Sequence, residues 1–219
     1  MRWVLAVGVA LCLIGAGSAR AGAWMREDGR VFLSVKTTLR HVDGLLRQEN
    51  DVYLDYGLGP KLGVGASLLQ TSPESGHALV FLRLPLGNTD GPSRMAAELG
   101  LGAHMTAGQW APMYKLALAW GRGLNLRRAN GWIQVEGAVE HRAGTGPPLY
   151  KLDLVLGQSD GGRLRPMVGL GLTGGSGRPV EWSASAALLI EGGKKTTWLI
   201  GTEVKQSRFG LTLGMWRDF

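Results

Sequence analysis

Along most of this chain the apolar residues stand at every second position. In "YKLALAW" (114–120) Tyr114, Leu116, Leu118 and Trp120 share one parity, with Lys115, Ala117 and Ala119 between them. "WIQVEGAVEH" sets Ile133, Val135 and Val139 against Gln134, Glu136, Ala138 and Glu140. "YKLDLVLG" sets Tyr150, Leu152, Leu154 and Leu156 against Lys151, Asp153, Val155 and Gly157. In "VEWSASAALLI" the apolar set Val180, Trp182, Ala184, Ala186, Leu188 and Ile190 opposes Glu181, Ser183 and Ser185. A period of two is that of a strand, whose successive side chains leave opposite faces. Twelve patterned runs follow one another, at 31–42, 51–58, 61–71, 77–86, 94–105, 112–121, 131–142, 148–157, 164–173, 179–190, 195–205 and 208–219, divided by breaks rich in Gly, Pro, Asn, Asp or Ser. No helical period and no linker interrupts them, so residues 22–219 are expected to form one all-β unit.

Two architectures share this period. A sandwich buries the apolar faces in a common core, whereas a transmembrane barrel turns them to lipid and the other faces to a lumen. Run length favours the barrel, since a tilted membrane strand needs about nine to eleven residues and an ordinary strand has about five or six. Tyr114, Trp120, Tyr150, Trp182 and Trp198, at the ends of aliphatic runs, suit the two membrane interfaces. The expected fold is an antiparallel transmembrane β-barrel of about twelve strands, with ten or fourteen as alternatives and a soluble periplasmic sandwich as the rival. With both termini in the periplasm, the even-to-odd joins ("GP", "QSDGGR", "EGGK") are expected to be short periplasmic turns. The odd-to-even joins, including "DGLLRQEN" and "TSPESG", then become outer loops, although "KQSR" is short and "RGLNLRRANG" is a long even-to-odd join.

The first residues change the compartment. "MRWVLAVGVALCLIGAGSARAGAW" has Arg2, an apolar stretch to about Ile14 and an A-x-A site ending at Ala21, the layout of a secretory signal peptide cleaved after Ala21. Cys12, the sole cysteine, lies in that leader, and Leu11 stands where a lipoprotein site needs a small residue. The processed chain is therefore expected to have no disulfide, Cys ligand or Cys nucleophile. Loss of Arg2 and Arg20 takes the formal charge from +7 to +5. The bases are scattered, with short pairs only at Arg127-Arg128 and Lys194-Lys195, which disfavours nucleic acid and suits contact with anionic lipid or sugar phosphates. Glycine, at 35 residues, falls inside the runs as well as between them, as where a narrow barrel crowds its lumen.

The chain ends "FGLTLGMWRDF", with Phe209, Leu211, Leu213, Met215 and the terminal Phe219 on one parity. This resembles the C-terminal strand of Gram-negative outer-membrane β-barrel proteins. The resemblance implies an outer-membrane location, outer-membrane lipid and lipopolysaccharide around the wall, and recognition of Phe219 by the barrel-assembly machinery. Arg217 departs from the pattern, which has an apolar or aromatic residue two before the end. "GAW" after the cleavage point, "VYLDYGLGPKLGVG" (52–65) and "RMAAELGLG" (94–102) resemble small, mostly uncharacterised outer-membrane barrels, some grouped with outer-membrane transporters for aromatic compounds.

The inward parity then carries Lys36, Arg40, Asp55, Arg83, Glu98, Lys115, Glu136, Glu140, Lys151, Asp153, Glu181, Glu203 and Lys205. Such charges cost little when hydrated. Their mixed signs allow either a narrow polar pore that passes or binds a small solute, or a side-chain-filled barrel with a structural or envelope-interaction role. A lipid-modifying barrel is a third reading. Its His and Ser pair is not supplied by His41, His77, His104 or His141, and His104 with Thr106, the nearest approach, has inward register. No catalytic residue, cofactor or metal site is expected, since the histidines and carboxylates are spread over different strands and "LGLGAHM" and "GLGLTGGSG" precede no helix.

Overall fold

The computed structural model describes residues 22–219 except Thr89, Arg127, Arg128 and Gly161; the expected leader with Cys12, and the Arg127-Arg128 pair, lie outside the described residues. The strands are β1 (Val31–Val42), β2 (Leu45–Gly57), β3 (Gly63–Ser72), β4 (Ser75–Pro85), β5 (Ser93–Thr106), β6 (Gln109–Leu126), β7 (Ala129–Arg142), β8 (Leu149–Gln158), β9 (Leu164–Gly175), β10 (Arg178–Glu191), β11 (Thr196–Lys205) and β12 (Arg208–Asp218). Each pairs antiparallel with its neighbours in sequence, and β1 closes on β12, with Phe32 opposite Asp218 and Arg40 opposite Gly210. The wall is a closed barrel of twelve strands, and closure leaves no sheet edge, as a bilayer requires. A sandwich of two sheets is thereby overturned.

The alternation becomes inside and outside. In β6, Tyr114, Leu116 and Leu118 are 50, 54 and 53% exposed on the outer face, while Ala117 and Ala119 are buried on the inner one. The same holds around the wall for Val80, Leu82, Leu99, Leu101, Leu170, Leu172, Leu211 and Leu213. A continuous apolar outer face of this extent has no place in water.

Inward glycines make room for long inward side chains. A Cβ on Gly65 would strike the Phe81 ring, one on Gly157 would lie 2.6 Å from the Trp132 ring, and one on Gly214 would lie 3.0 Å from Lys36 Cγ. Gly169 and Gly171 lie against the Ser185 and Ser183 hydroxyls in the same way. These glycines thus give Phe81, Trp132 and Lys36 a flat neighbour.

Several boundaries differ from the sequence expectation. β2 begins at Leu45, β6 extends from Gln109 to Leu126, and β7 begins at Ala129. "DGLLRQEN" is therefore a two-residue turn at Asp43-Gly44 leading into strand, with both turn residues at positive φ. "TSPESG" reduces to a turn at Pro73-Glu74, and most of "RGLNLRRANG" is strand. These stretches lack apolar alternation but still pair through the backbone, as in Val42 with Leu45 and Asn125 with Asn130. The expected loop asymmetry is consequently reversed. Odd-to-even joins are two residues long at 43–44, 73–74, 107–108, 176–177 and 206–207, and six at 143–148, whereas four of the five even-to-odd joins, 58–62, 86–92, 159–163 and 192–195, have four to seven, and β6 and β7 are two residues apart.

Residues 22–30 fold across the mouth that carries both termini. Gly29 and Gly57 bond through their backbones, and Gly57 lies against the Glu27 carbonyl. Ala23 and Trp24 enter the lumen and are buried with Ala119 and Trp132.

Candidate functional site

The lumen contains two cavities of 410 Å³ each. Phe32, Tyr53, Phe81, Trp132 and Trp216 give the first an aromatic lining, while Thr38, Thr71, Ser185 and Thr212 give the second a hydroxyl lining. Lys36, Asp51, Leu69, Asp153, Met167 and Leu199 line both, so the two spaces join at that level. Lys36 and Asp51 form an ion pair there at 2.8 Å. Asp153 is exposed at the same junction, and a Cβ on Gly171 would lie 2.9 Å from its Oδ1.

Most inward charges are brought together in ion pairs, some across adjacent strands and some reaching over one strand, as Arg83 on β4 does to Asp55 on β2 and Arg40 on β1 to Glu203 on β11. Arg83 Nη1 donates to Asp55 Oδ2 at 2.8 Å, and its Nη2 donates to Glu98 and to the Tyr53 hydroxyl. The guanidinium lies 5.1 Å from the Phe81 ring centroid, and that ring stacks on Tyr53 at 5.4 Å. Lys115 continues the row, donating to Glu98 at 2.9 Å and to Glu136 at 3.3 Å. Arg26 joins its other end, 3.5 Å from Asp55. Glu140 accepts from Lys151 at 2.7 Å and from Arg142 at 2.8 Å. Arg40 bridges Glu49 and Glu203 at 3.1 and 3.0 Å. Lys205 and Glu181 approach only to 3.8 Å, with both side chains about half exposed. Buried charges persist in such a wall because each has an opposite partner and hydrogen bonds.

Glu49, Asp51, Arg142, Tyr53 and Arg26 belong to these clusters but were not singled out from the sequence. For three of them the signal existed: Glu49, Asp51, Tyr53 and Asp55 share one parity in "ENDVYLDYG". Placing Glu49 in a loop concealed it. Nothing local marks Arg26, which precedes the first strand.

Tyr114, Tyr150, Trp182 and Trp198 stand exposed on the outer face, and Trp120 is half-buried there. Tyr114 stacks on His141 at 6.4 Å. His104 faces inward and is 2% exposed, with Nδ1 beside Thr106 Oγ1 at 3.2 Å and Nε2 beside the Ala143 carbonyl at 2.9 Å. Phe219 donates its backbone N–H to the Val31 carbonyl, and the Arg217 guanidinium lies 5.0 Å from the Phe219 ring centroid.

No family model and no curated protein matches this sequence. Solved structures do match the fold. The chain is similar to the KdgM porin at 8% identity and a TM-score of 0.64, over 86% of this chain and 99% of that one. It is similar to the NanC porin at 9% identity and 0.60, over 84% and 98%. The COG4313 outer membrane channel from Pseudomonas putida F1 matches at 11% and 0.59, over 91% and 98%. The chain has the fold of these outer-membrane barrels.

Proposed function

We propose that this protein is an outer-membrane channel through which a small polar solute passes passively. The supporting observation is the junction of the two lumen cavities at Lys36, Asp51 and Asp153, which joins them into one charged space inside the barrel. Because most lumen charges are paired with opposite ones, the path favours neutral or zwitterionic solutes over strongly charged ones. The fold shared with porins and a channel supports the same reading. The apolar outer face sits among outer-membrane lipid and lipopolysaccharide, with Tyr114, Tyr150 and Trp182 at one interface and Trp120 and Trp198 toward the other. The assembly machinery reads the last strand through Phe219.

Swelling of protein-loaded liposomes tests the reading. Glycine and small polyols enter faster than into protein-free liposomes, and disaccharides are slower. Equal rates with and without inserted protein contradict it. The closed-barrel reading draws on the ion pairs themselves, which tie neighbouring strands together, and predicts that null result.

A further inference from the structure

Gly22 lies inside the lumen at φ +80°, so close to β7 that a Cβ on it would stand 2.5 Å from Gln134 Nε2 and 3.0 Å from Glu136 Oε2. Its backbone nitrogen is two bonds from that point, so it occupies the same corner. The next two residues fix the position. Ala23 is 1% exposed, and Trp24 lies over Gly121 and edge-on to Trp132, with ring centroids 6.3 Å apart at 81°. The sequence "GAW" therefore has a physical reading of close approach, tight slot and anchor.

The side chains around this corner have spare acceptors. Gln134 is 8% exposed, and its Oε1 is buried with no hydrogen-bond partner. An empty buried acceptor costs about 1–3 kcal/mol and calls for a donor. Glu136 takes Lys115 on Oε1 and turns Oε2 toward Gly22. Glu136 Oε2 and the Gln134 amide, whose Nε2 is its nearest atom, converge there, beneath a residue that immediately follows the expected cleavage point.

We propose that Gln134 and Glu136 form a binding site for a primary ammonium, whose ligand is the chain's own N-terminus, released at Gly22 when the leader is removed. In that hydrolysis water adds across the Ala21–Gly22 peptide bond. The C–N bond breaks, the carbonyl carbon gains the oxygen and becomes the carboxylate of Ala21, and the nitrogen takes up protons to become the ammonium of Gly22. An amide N–H with one donor and no charge is thereby replaced by a group with three donors and one positive charge. One donor matches Glu136 Oε2 as a charge-assisted bond, and a second matches Gln134 Oε1 once the side-chain amide turns over to exchange Oε1 with Nε2. Processing thus creates the ligand that locks residues 22–24 against β6 and β7, and the uncleaved chain lacks it.

The test uses the full-length protein expressed with its leader, purified from membranes in detergent, with N-hydroxysuccinimidyl acetate as the amine probe and mass spectrometry as the readout. The processed chain begins at Gly22. In the folded barrel its α-amine is acetylated at least about tenfold more slowly than after boiling in dodecyl sulfate, because an ammonium held by a carboxylate keeps its proton and only the free amine reacts. Glu136→Gln raises the folded-state rate toward the boiled one while the gel mobility shift of a closed barrel persists. Gln134→Leu replaces it if the first variant does not fold. A chain beginning elsewhere, a folded wild-type rate equal to the boiled rate, or equal protection in wild type and variant overturns the proposal; the last result means burial alone. None of these readouts depends on solute passage, so the site and the channel reading fail separately.

Discussion

Arg83 is 2% exposed between the carboxylates of Asp55 and Glu98. Its presence in the pattern was legible, since parity alone placed it inward; its partners were not. Which carboxylate a lumen base meets depends on strand register, and here Arg83 stands directly opposite Glu98 across β4 and β5. Arg83→Met takes away the base shared by two buried carboxylates, leaving Asp55 only Arg26 and Glu98 only Lys115, and should cost up to about 3–5 kcal/mol. Lys205→Ala, at the half-exposed pair with Glu181, should cost no more than about 1 kcal/mol. Urea titration of the folded fraction in detergent, read by gel mobility, measures both. Equal losses would mean that the Arg83 cluster is hydrated and that its burial does not govern its energetics.

At the scale of the strand, the apolar beat identified all twelve elements but not their ends. It stops where β2 passes through Leu45–Asn50 and where β6 passes Gly121, because those segments extend beyond the apolar belt and are held by backbone pairing instead. The glycines were legible as marks of crowding, though what crowds each one was not. Gly157 faces the Trp132 ring, so Gly157→Val should push the ring into the lumen and destabilise the β7–β8 wall by about 1–3 kcal/mol. Urea titration gives the loss, and tryptophan fluorescence reports the moved ring. An unchanged spectrum and midpoint would mean that Trp132 is already free to move.

For the whole molecule, alternation together with run length pointed to a closed barrel, and the β1–β12 register closes it. The relation between the two ends was not legible. Tight turns lie opposite the termini and longer joins beside them, because polar segments predicted as loops instead lengthen the strands. Entry of residues 22–24 into the lumen was also hidden, since three residues have no period to read. If the outer face meets lipid, Leu118→Arg on that face should cost about 2–4 kcal/mol, falling with distance from the midplane, and urea titration of folding into vesicles measures it. A neutral result would remove the bilayer from around β6.

The central claim, that a joined and charged lumen carries solute, is tested most directly by recording current through the purified protein in a planar bilayer. The account predicts small, discrete and reproducible steps for the wild-type barrel. Insertion verified by the gel mobility shift, with no step above the bare bilayer, would contradict it.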